Sequence, residues 1–549
     1  MKQKPNFLLI LTDQQRYDTI HATGNPFIKT PNLDRLANEG CVFTNAYSPN
    51  PVCQPARHYL LTGTTARYHG YFENVHMPIK DDGLPTIARV LSDNGYTTAA
   101  VGKMHFTPWR EHHGFNEMHL MEEFPGFKEE DAYLQYLHDN GLGNVRNVHG
   151  VRPYVYHYPQ RSLVSDEHHG TSFVAKKSCE FITQNKKRPF FLMCGWIKPH
   201  PPWNIPDEWQ GLYNDTEIPG PIPTSREFPY YTKESDWFGD NDSDELKERI
   251  RKAYYTSVSM VDKNIGILLD CLEKEGLLDN TCIIFTSDHG EMLQDKGFYQ
   301  KGLPFESSAR IPFMIRYPKR YSKKCKEDAF IDLMDIFPTI LDEAGIDFHY
   351  KASDKKYSLV GSSLFSKGLG KRNRKYMFAD YSVGIDRWVM IRDKQYKYIY
   401  FYDGAIEHMY DLVNDPGELE NLVSRKKVPV KAYKALKKKC IEMEKKWGPE
   451  GYVKNNKFIS FKKKGITPLS IDSYGKYPIW ANWQFQTFGE KTPSEEAAIY
   501  AREIKEAMSI YSDKDILKKL SPGKEWDDDW FEKYKELGGD EKNRDDIFS

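Results

Sequence analysis

Two hydrophobic periodicities alternate along the first 345 residues of the chain. Short apolar runs, typical of buried strands, cover residues 7–11, 97–101, 190–197, 282–285 and 312–316. Amphipathic segments typical of helices lie between or after them, at residues 30–40, 85–94, 246–275 and 331–344. Thr30 is a good N-cap, Pro31 suits the first helical position, and Gly40 suits the end of that helix. Strands that alternate with helices predict an α/β fold with a parallel sheet covered on both faces.

The pattern changes near residue 374. Apolar alternation at 388–391 and 396–400 predicts a β-hairpin, and residues 408–422 read as a strand end followed by a turn at Asp415-Pro416-Gly417. A Lys-rich stretch, 431–446, predicts a solvated helix. We therefore predict three regions: a large α/β domain (1–371), a small antiparallel subdomain (372–428) and an extension of unknown role (429–549). The extension carries Tyr477, Trp480 and Trp483, which would either shape a pocket or mediate oligomers.

Composition excludes several classes of protein. The 549 residues are 39% hydrophobic and 14% aromatic, which supports a large core and excludes a disordered chain. The formal net charge of −1 shows no basic excess, so we expect no nucleic-acid partner. No apolar run approaches the about 20 residues of a membrane span, and no signal peptide is visible. We expect a cytoplasmic protein, or a periplasmic one if a leader was trimmed. The 8 Cys form no CxxC pair, and we expect no disulfide framework.

Chemically capable side chains follow four of the apolar runs. In parallel sheets, ligands bind beyond the carboxyl ends of the strands. The residues found there are Asp13 and Gln14, Lys103 and His105, His200, and Asp288 and His289. Oxygen ligands with one imidazole suit a divalent cation such as Ca²⁺, and the Lys and His side chains suit an oxyanion beside it.

A further block near the amino end is more specific. It reads CQPARHYLLTG from Cys53 to Gly63 and resembles the signature of the sulfatase family, in which the Cys is converted to Cα-formylglycine. Later segments are similar to other blocks of that family, over about residues 5–425: Gly102-Lys103-x-His105, Pro199-His200-x-Pro202, and Asp288-His289-Gly290 followed by Lys301 and Glu306. The resemblance implies an alkaline phosphatase-like fold, with a large doubly wound, mostly parallel sheet and a smaller antiparallel subdomain. It also implies a formylglycine-generating or radical maturase as a partner.

The resemblance further implies a role for each matching residue. Asp13, Gln14, Asp288, His289 and the group at position 53 would hold a divalent ion, usually Ca²⁺, with Mg²⁺ or Mn²⁺ as alternatives. Formylglycine would be hydrated to a geminal diol, of which one hydroxyl attacks sulfur. Arg57 and Lys103 would stabilise the diol as it ionises, and Lys103 and Lys301 would neutralise charge on the sulfate oxygens. His200 would be the acid that protonates the leaving oxygen, and His105 the base whose proton abstraction collapses the hemiacetal.

One position departs from the family pattern. Many sulfatases carry consecutive Asp residues where this chain has Asp13-Gln14, and that pair is similar to phosphonate monoester hydrolases. Those relatives generally lack the Lys and His found here at 103 and 105. The sequence thus predicts a sulfatase, with a phosphonate monoester or phosphodiester hydrolase as the alternative and a non-catalytic sulfoglycan-binding protein as a remote one. A zinc enzyme is disfavoured because no HExxH helix occurs.

The alcohol portion of the substrate is predicted less specifically than the reaction. Aromatic residues near the motifs, such as Trp109 and Trp203, either stack on a sugar ring or pack in the core. We expect a small sulfated substrate, with a saccharide favoured over choline sulfate and aryl sulfates. Asn74 is a further candidate for substrate contact, and a plain turn residue is its alternative. The sequence does not predict the oligomeric state.

Overall fold

The computed structural model describes residues 4–75, 84–125, 128–152, 156–223, 242–348, 359–365, 374–463, 499, 502–503 and 505–510. The strands are β1 (Asn6–Asp13), β2 (Cys41–Tyr47), β3 (Thr97–Gly102), β4 (Glu117–Leu120), β5 (Pro159–Arg161), β6 (Phe190–Pro199), β7 (Trp203–Ile205), β8 (Thr281–Ser287), β9 (Phe313–Arg316), β10 (Cys325–Asp332), β11 (Met377–Tyr381), β12 (Trp388–Arg392), β13 (Tyr396–Phe401), β14 (Ile406–Asp411), β15 (Val453–Lys454) and β16 (Lys457–Phe458). The α-helices are α1 (Pro31–Glu39), α2 (Cys53–Thr62), α3 (Ala66–His69), α4 (Ile87–Asp93), α5 (Ala132–Asp139), α6 (Gly170–Asn185), α7 (Asp244–Lys274), α8 (Glu306–Ala309), α9 (Ile336–Ala344) and α10 (Val430–Trp447).

The large sheet has the strand order β10-β2-β9-β8-β1-β6-β3-β4. Its pairings are parallel except those of β9, which runs antiparallel to β2 and β8. The central strand β1 is buried on both faces, with Leu9 and Leu11 packed on one side and Leu8 and Ile10 on the other. This two-sided burial explains why its sequence is a continuous apolar run rather than an alternating one.

Helices cover both faces of this sheet. Helices α2, α4 and α9 pack on the face of Leu9, and α1, α5, α6 and α7 pack on the opposite face. The prediction of a doubly wound, mostly parallel sheet is therefore confirmed. Because β1, β3, β6 and β8 run parallel, the segments that follow them meet at one edge of the sheet.

The second sheet is antiparallel, in the order β11-β12-β13-β14, as predicted for this region. One face packs against the large domain, and the other packs against α10 through Leu436 and Cys440. The prediction of a solvated α10 was therefore wrong for this face. The many Lys residues of the helix make its narrow apolar stripe hard to recognise in the sequence. The predicted domain limit at residue 372 lies outside the described residues.

A buried ion cluster joins α10 to this sheet. The Arg387 guanidinium lies 2.7 Å from a carboxylate oxygen of Asp380 and 2.7 Å from one of Glu444 on α10, and each of these side chains is at most 2% exposed. Buried charges of this kind are stable only when every partner is present.

Three local features differ from the sequence predictions. The helix expected at 331–344 begins only at Ile336, because Ile331 and Asp332 end β10, which pairs with β2 as far as Asp332, and Leu333–Asp335 form a 3-10 turn. Neither of these two strands was predicted. They are joined by a disulfide between Cys41 and Cys325, which are paired in register, although no disulfide framework was expected.

Part of the extension packs against the α/β domain. The Glu503 carboxylate accepts hydrogen bonds of 2.9 Å from the backbone N–H groups of Arg146 and Asn147. Ala507 and Met508 join an apolar cluster that contains Trp203. Tyr477, Trp480 and Trp483 lie outside the described residues. Of the helices that the structure describes, none has the length and apolar character needed to cross a membrane.

We predict that Glu444→Ala destabilises the protein by about 3 kcal/mol, because it leaves the Arg387 charge buried with an incomplete set of partners. Chemical denaturation followed by tryptophan fluorescence measures this change. Glu442→Ala removes the same side chain from an exposed position of α10 and is expected to change stability by less than about 0.5 kcal/mol. Equal effects of the two substitutions would contradict the assignment.

Candidate active site

Two fully buried carboxylates form the floor of the site. Asp13 ends β1 and Asp288 directly follows the neighbouring strand β8, so parallel pairing of these strands brings the two side chains together. The Arg57 guanidinium lies between them, with nitrogen atoms 3.2 Å from Asp13 Oδ2 and 3.0 Å from Asp288 Oδ2. It also donates a 2.6 Å hydrogen bond to the Lys103 carbonyl. Arg57 thereby contacts Oδ2 of each carboxylate, whereas the two Oδ1 atoms lie on the side of His289, 3.7 and 3.5 Å from its Nε2 atom.

Cys53 and His289 complete a cluster around these two Oδ1 atoms. Ligand atoms of Asp13, Cys53, Asp288 and His289 all lie within 4.8 Å of one another, and each of the four residues is buried. His289 Nδ1 faces the Gly290 carbonyl at 2.9 Å, which leaves Nε2 directed at the Cys53 Sγ atom, 3.1 Å away. The donor set, two carboxylates with one imidazole, fits a divalent cation.

The charges of the site support this fit. Burial, followed by the charge of Asp13, raises the pKa of Asp288 above its usual range. Although burial alone would raise the pKa of Asp13, the nearby cations, led by Lys103, hold it well below that range. A divalent cation at the two Oδ1 atoms would add to the positive charge of Arg57 and further reduce the repulsion between the carboxylates, which is the physical reason to expect one there.

Gln14, also predicted as a metal ligand, lies beside this cluster. Its backbone has a left-handed φ of 69°, and its backbone N–H donates to Asp288 Oδ1 at 3.1 Å. Its side-chain oxygen accepts a 2.7 Å hydrogen bond from the Lys301 ammonium, and its amide nitrogen donates to Glu291. The contact with Lys301 joins the predicted metal ligands to the predicted anion-binding residues.

Cys53 is the first residue of helix α2 and lies in an electropositive environment. Burial and the charge of Asp13 disfavour its thiolate, but the cations Lys301 and Lys103 outweigh them and lower the pKa of Cys53 to about 6. The helix N-terminus adds a favourable partial positive charge. An oxygen anion at position 53 would be stabilised by the same groups.

Asn74 supports this helix. Its side-chain oxygen accepts a 3.0 Å hydrogen bond from the backbone N–H of Gln54, in the first turn of α2. The structure thus places Asn74 next to the residue that follows Cys53, where it orients the helix start.

Lys103 and Lys301 approach the cluster from different sides. The Lys103 ammonium lies 2.5 Å from Asp13 Oδ2 and also contacts the Glu123 carboxylate. Although burial alone would lower the pKa of Lys301, the charges of Cys53 and Asp13 act against it and the pKa is raised, so this side chain is cationic. The pair provides the positive charge that a tetrahedral oxyanion requires.

The two predicted acid–base residues flank these cations. His200 Nδ1 faces the Pro201 carbonyl at 2.6 Å, and burial followed by the charge of Lys301 holds the pKa of His200 well below its usual range. Burial followed by Lys103 lowers the pKa of His105 to about 3. Contacts among the described residues include none between the His105 ring and Cys53, so the role of His105 as a base stays a prediction.

The sequence analysis missed several polar residues of the site. Glu122 accepts from the backbone N–H groups of Met104 and His105, at 2.7 and 2.8 Å, and thereby fixes the loop after β3. Glu123 contacts Lys103, and Glu291 holds Gln14. Glu122 and Glu123 follow the short strand β4 at the same edge of the sheet, but the sequence analysis did not identify that strand. Trp203, a candidate for sugar stacking, is fully buried and packs in the core.

Family models agree with this arrangement. Residues 5–346 match the model described as Sulfatase, and residues 294–446 match the one described as N-sulphoglucosamine sulphohydrolase, C-terminal. An arylsulfatase of Clostridium perfringens is 32% identical over 83% of this chain and 97% of its own length. An N-acetylglucosamine-6-O-sulfatase of Bacteroides thetaiotaomicron is 26% identical over 77% of this chain and 83% of its own.

Solved structures share the fold. A protein crystallised with the substrate D-glucosamine-2-N,6-O-disulfate superposes with a TM-score of 0.65 at 24% identity, over 82% of this chain and 99% of that one. The phosphonate monoester hydrolase of Agrobacterium radiobacter gives a TM-score of 0.66 at 25% identity, over 77% of this chain and 92% of that one.

We predict that a divalent cation stabilises the chelator-treated protein, because it relieves the repulsion between Asp13 and Asp288. At a concentration of 100 times the Kd, binding adds about 2.7 kcal/mol to stability, which raises the thermal midpoint of a chain of this length by about 2 °C. Asp288→Asn is expected to abolish most of this rise. Asp279→Asn, at a position whose side chain is 82% exposed, should retain it. A rise of the same size in all three proteins would place the cation elsewhere.

Proposed function

Since the chain belongs to the sulfatase family, and is thereby a sulfuric ester hydrolase, we propose that it hydrolyses sulfate monoesters of a saccharide at the Cys53 cluster. The single observation that carries the proposal is the convergence of Cys53 with Asp13, Asp288 and His289 beside Lys103 and Lys301. A saccharide is supported by the carbohydrate sulfatases among the relatives. The substrate of the structurally similar protein, a sulfated glucosamine, points the same way.

The chain would need two changes before it can act: conversion of Cys53 to formylglycine and binding of a divalent ion. Formylglycine, formed at position 53 by a maturase and then hydrated, supplies the oxygen nucleophile. A divalent ion held by Asp13, Gln14, Asp288 and His289, for which we propose Ca²⁺, supplies positive charge next to that nucleophile and the sulfate. The oxygen-rich donor set favours Ca²⁺ over a softer metal.

The remaining steps fall to side chains of the chain itself. Lys103 and Lys301 would bind non-bridging sulfate oxygens and neutralise charge that builds up during in-line displacement. His200 would donate a proton from Nε2 to the leaving oxygen, because its Nδ1 is engaged by the Pro201 carbonyl. A bound sulfate ester brings negative charge close to this ring and so raises the pKa of His200 toward the range that an acid needs.

A phosphonate monoester hydrolase is the second candidate function. It is favoured by Gln14, which removes one negative charge from the predicted ligand set, and by the structural similarity to the Agrobacterium enzyme. Lys103 favours the sulfatase, because the sequence resemblance indicates that phosphonate hydrolases generally lack it.

We predict that protein co-expressed with a formylglycine-generating enzyme releases sulfate from one or more members of a panel of sulfated mono- and disaccharides. Cys53→Ala should lower the rate at least about 10³-fold, because it removes the nucleophile. Cys194→Ala changes a buried thiol outside the cluster and serves as the matched control. Full activity of Cys53→Ala would reject the mechanism, and binding without any turnover would favour a sulfoglycan-binding protein.

We further predict a higher kcat/KM for an aryl sulfate than for the matching aryl phosphonate monoester, since Lys103 and Lys301 suit the sulfate group. Initial rates with the two esters of one phenol, measured on a single preparation of matured protein, make this comparison. A preference for the phosphonate would assign the second candidate function instead.

A further inference from the structure

Glu123 is a carboxylate in the middle of a site built for anions. Its side chain is only 7% exposed, and it contacts the Lys103 ammonium. One carboxylate oxygen lies 2.6 Å from Arg152 Nη2 and 3.6 Å from His200 Nδ1. Neither the metal cluster nor the proposed chemistry requires a negative charge here.

This carboxylate and a substrate sulfate would compete for the same cation. Lys103 forms ion pairs with Asp13, at 2.5 Å, and with Glu123. A sulfate oxygen that binds Lys103 would therefore take the position that Glu123 occupies. A sulfate oxygen that approached Lys103 with Glu123 in place would put two anions next to each other among buried side chains, where their repulsion is only weakly screened. Either the sulfate or Glu123 must give way.

Arg152 provides a place for a displaced carboxylate. Its guanidinium carbon lies 4.3 Å from the centre of the Phe124 ring and 5.3 Å from that of the Tyr156 ring, so the cation is stabilised by two aromatic rings. Since Arg152 is already bonded to Glu123, the carboxylate can leave Lys103 by a side-chain rotation and keep a charged partner.

We propose that Glu123 is the resting counter-ion of Lys103, that the sulfate group displaces it, and that Arg152 retains it while sulfate is bound. This inference rests on the proposed function for the position of the sulfate. Glu123 then limits the affinity of the site for anions and drives product release, because its return to Lys103 expels inorganic sulfate. Glu123 thus sets the affinity of the site for anions and takes no part in the chemical steps.

Binding of inorganic sulfate tests this proposal without turnover. Calorimetry on Ca²⁺-loaded protein with unmodified Cys53, at constant ionic strength, is expected to show about tenfold tighter binding for Glu123→Gln, equivalent to about 1.4 kcal/mol. Glu123→Asp keeps the charge and should remain within about threefold of the parent. Glu130→Gln removes an exposed charge from the same segment and should have no effect. Unchanged or weaker binding by Glu123→Gln, or no sulfate binding by any of these proteins, would overturn the proposal.

Thermal unfolding separates this role from a structural one. Glu123→Gln leaves Lys103 and Arg152 less neutralised, so its midpoint without sulfate should fall, and the rise on adding sulfate should exceed that of the parent. An equal sulfate-induced rise in both proteins would show that Glu123 only supports the fold. Failure of the proposed function would appear differently, as sulfate binding with these responses but no sulfate release from any ester.

Discussion

The site is organised by the burial of two carboxylates side by side. Asp13 and Asp288 are fully buried, and their separation follows directly from the parallel pairing of β1 with β8. Such a pair is unfavourable unless cations surround it. Arg57 meets this need at the Oδ2 atoms, and a divalent ion would add positive charge at the Oδ1 atoms, which lie next to Cys53 and His289. The demand for a divalent ion is thus a consequence of the sheet topology as much as of the residue types.

The same constraint explains the other charges of the site. The buried carboxylates allow Lys103 to be fully buried next to Asp13, and Lys301 bonds to Gln14 next to that carboxylate. Two lysines next to the buried carboxylates suit a substrate whose negative charge is spread over several oxygens. The helix start at Cys53 adds to this potential, so that position 53 is where a nucleophilic oxygen anion would be most stable.

Much of this arrangement could be predicted from the sequence because it follows long buried strands. Asp13, Lys103, His200 and Asp288 all come directly after apolar runs, and a parallel sheet brings such positions to one edge. The block at Cys53 was identified from a family resemblance, since nothing in its periodicity marks it. The predicted roles of these residues remain to be tested by the experiments above.

Other parts of the structure left no such signal. Strand β4 has only 4 residues with a single buried side chain, Leu120, so nothing indicated that Glu122 and Glu123 reach the site. The disulfide joins cysteines that are 284 positions apart, and only the pairing of β2 with β10 brings them together. The start of α9 was predicted too early because an apolar residue such as Ile331 fits the pattern of a buried strand as well as that of a helix. The pairing of β10 with β2 decides that a strand forms there.

The most direct test of the central claim compares the reaction rate with the extent of maturation. Preparations made with graded amounts of maturase would be analysed by peptide mass spectrometry for conversion of residue 53 and assayed for sulfate release under identical conditions. The account predicts a rate that is proportional to the converted fraction and that vanishes at zero conversion. A rate that is independent of this fraction, with full turnover by the unmodified thiol, would contradict it.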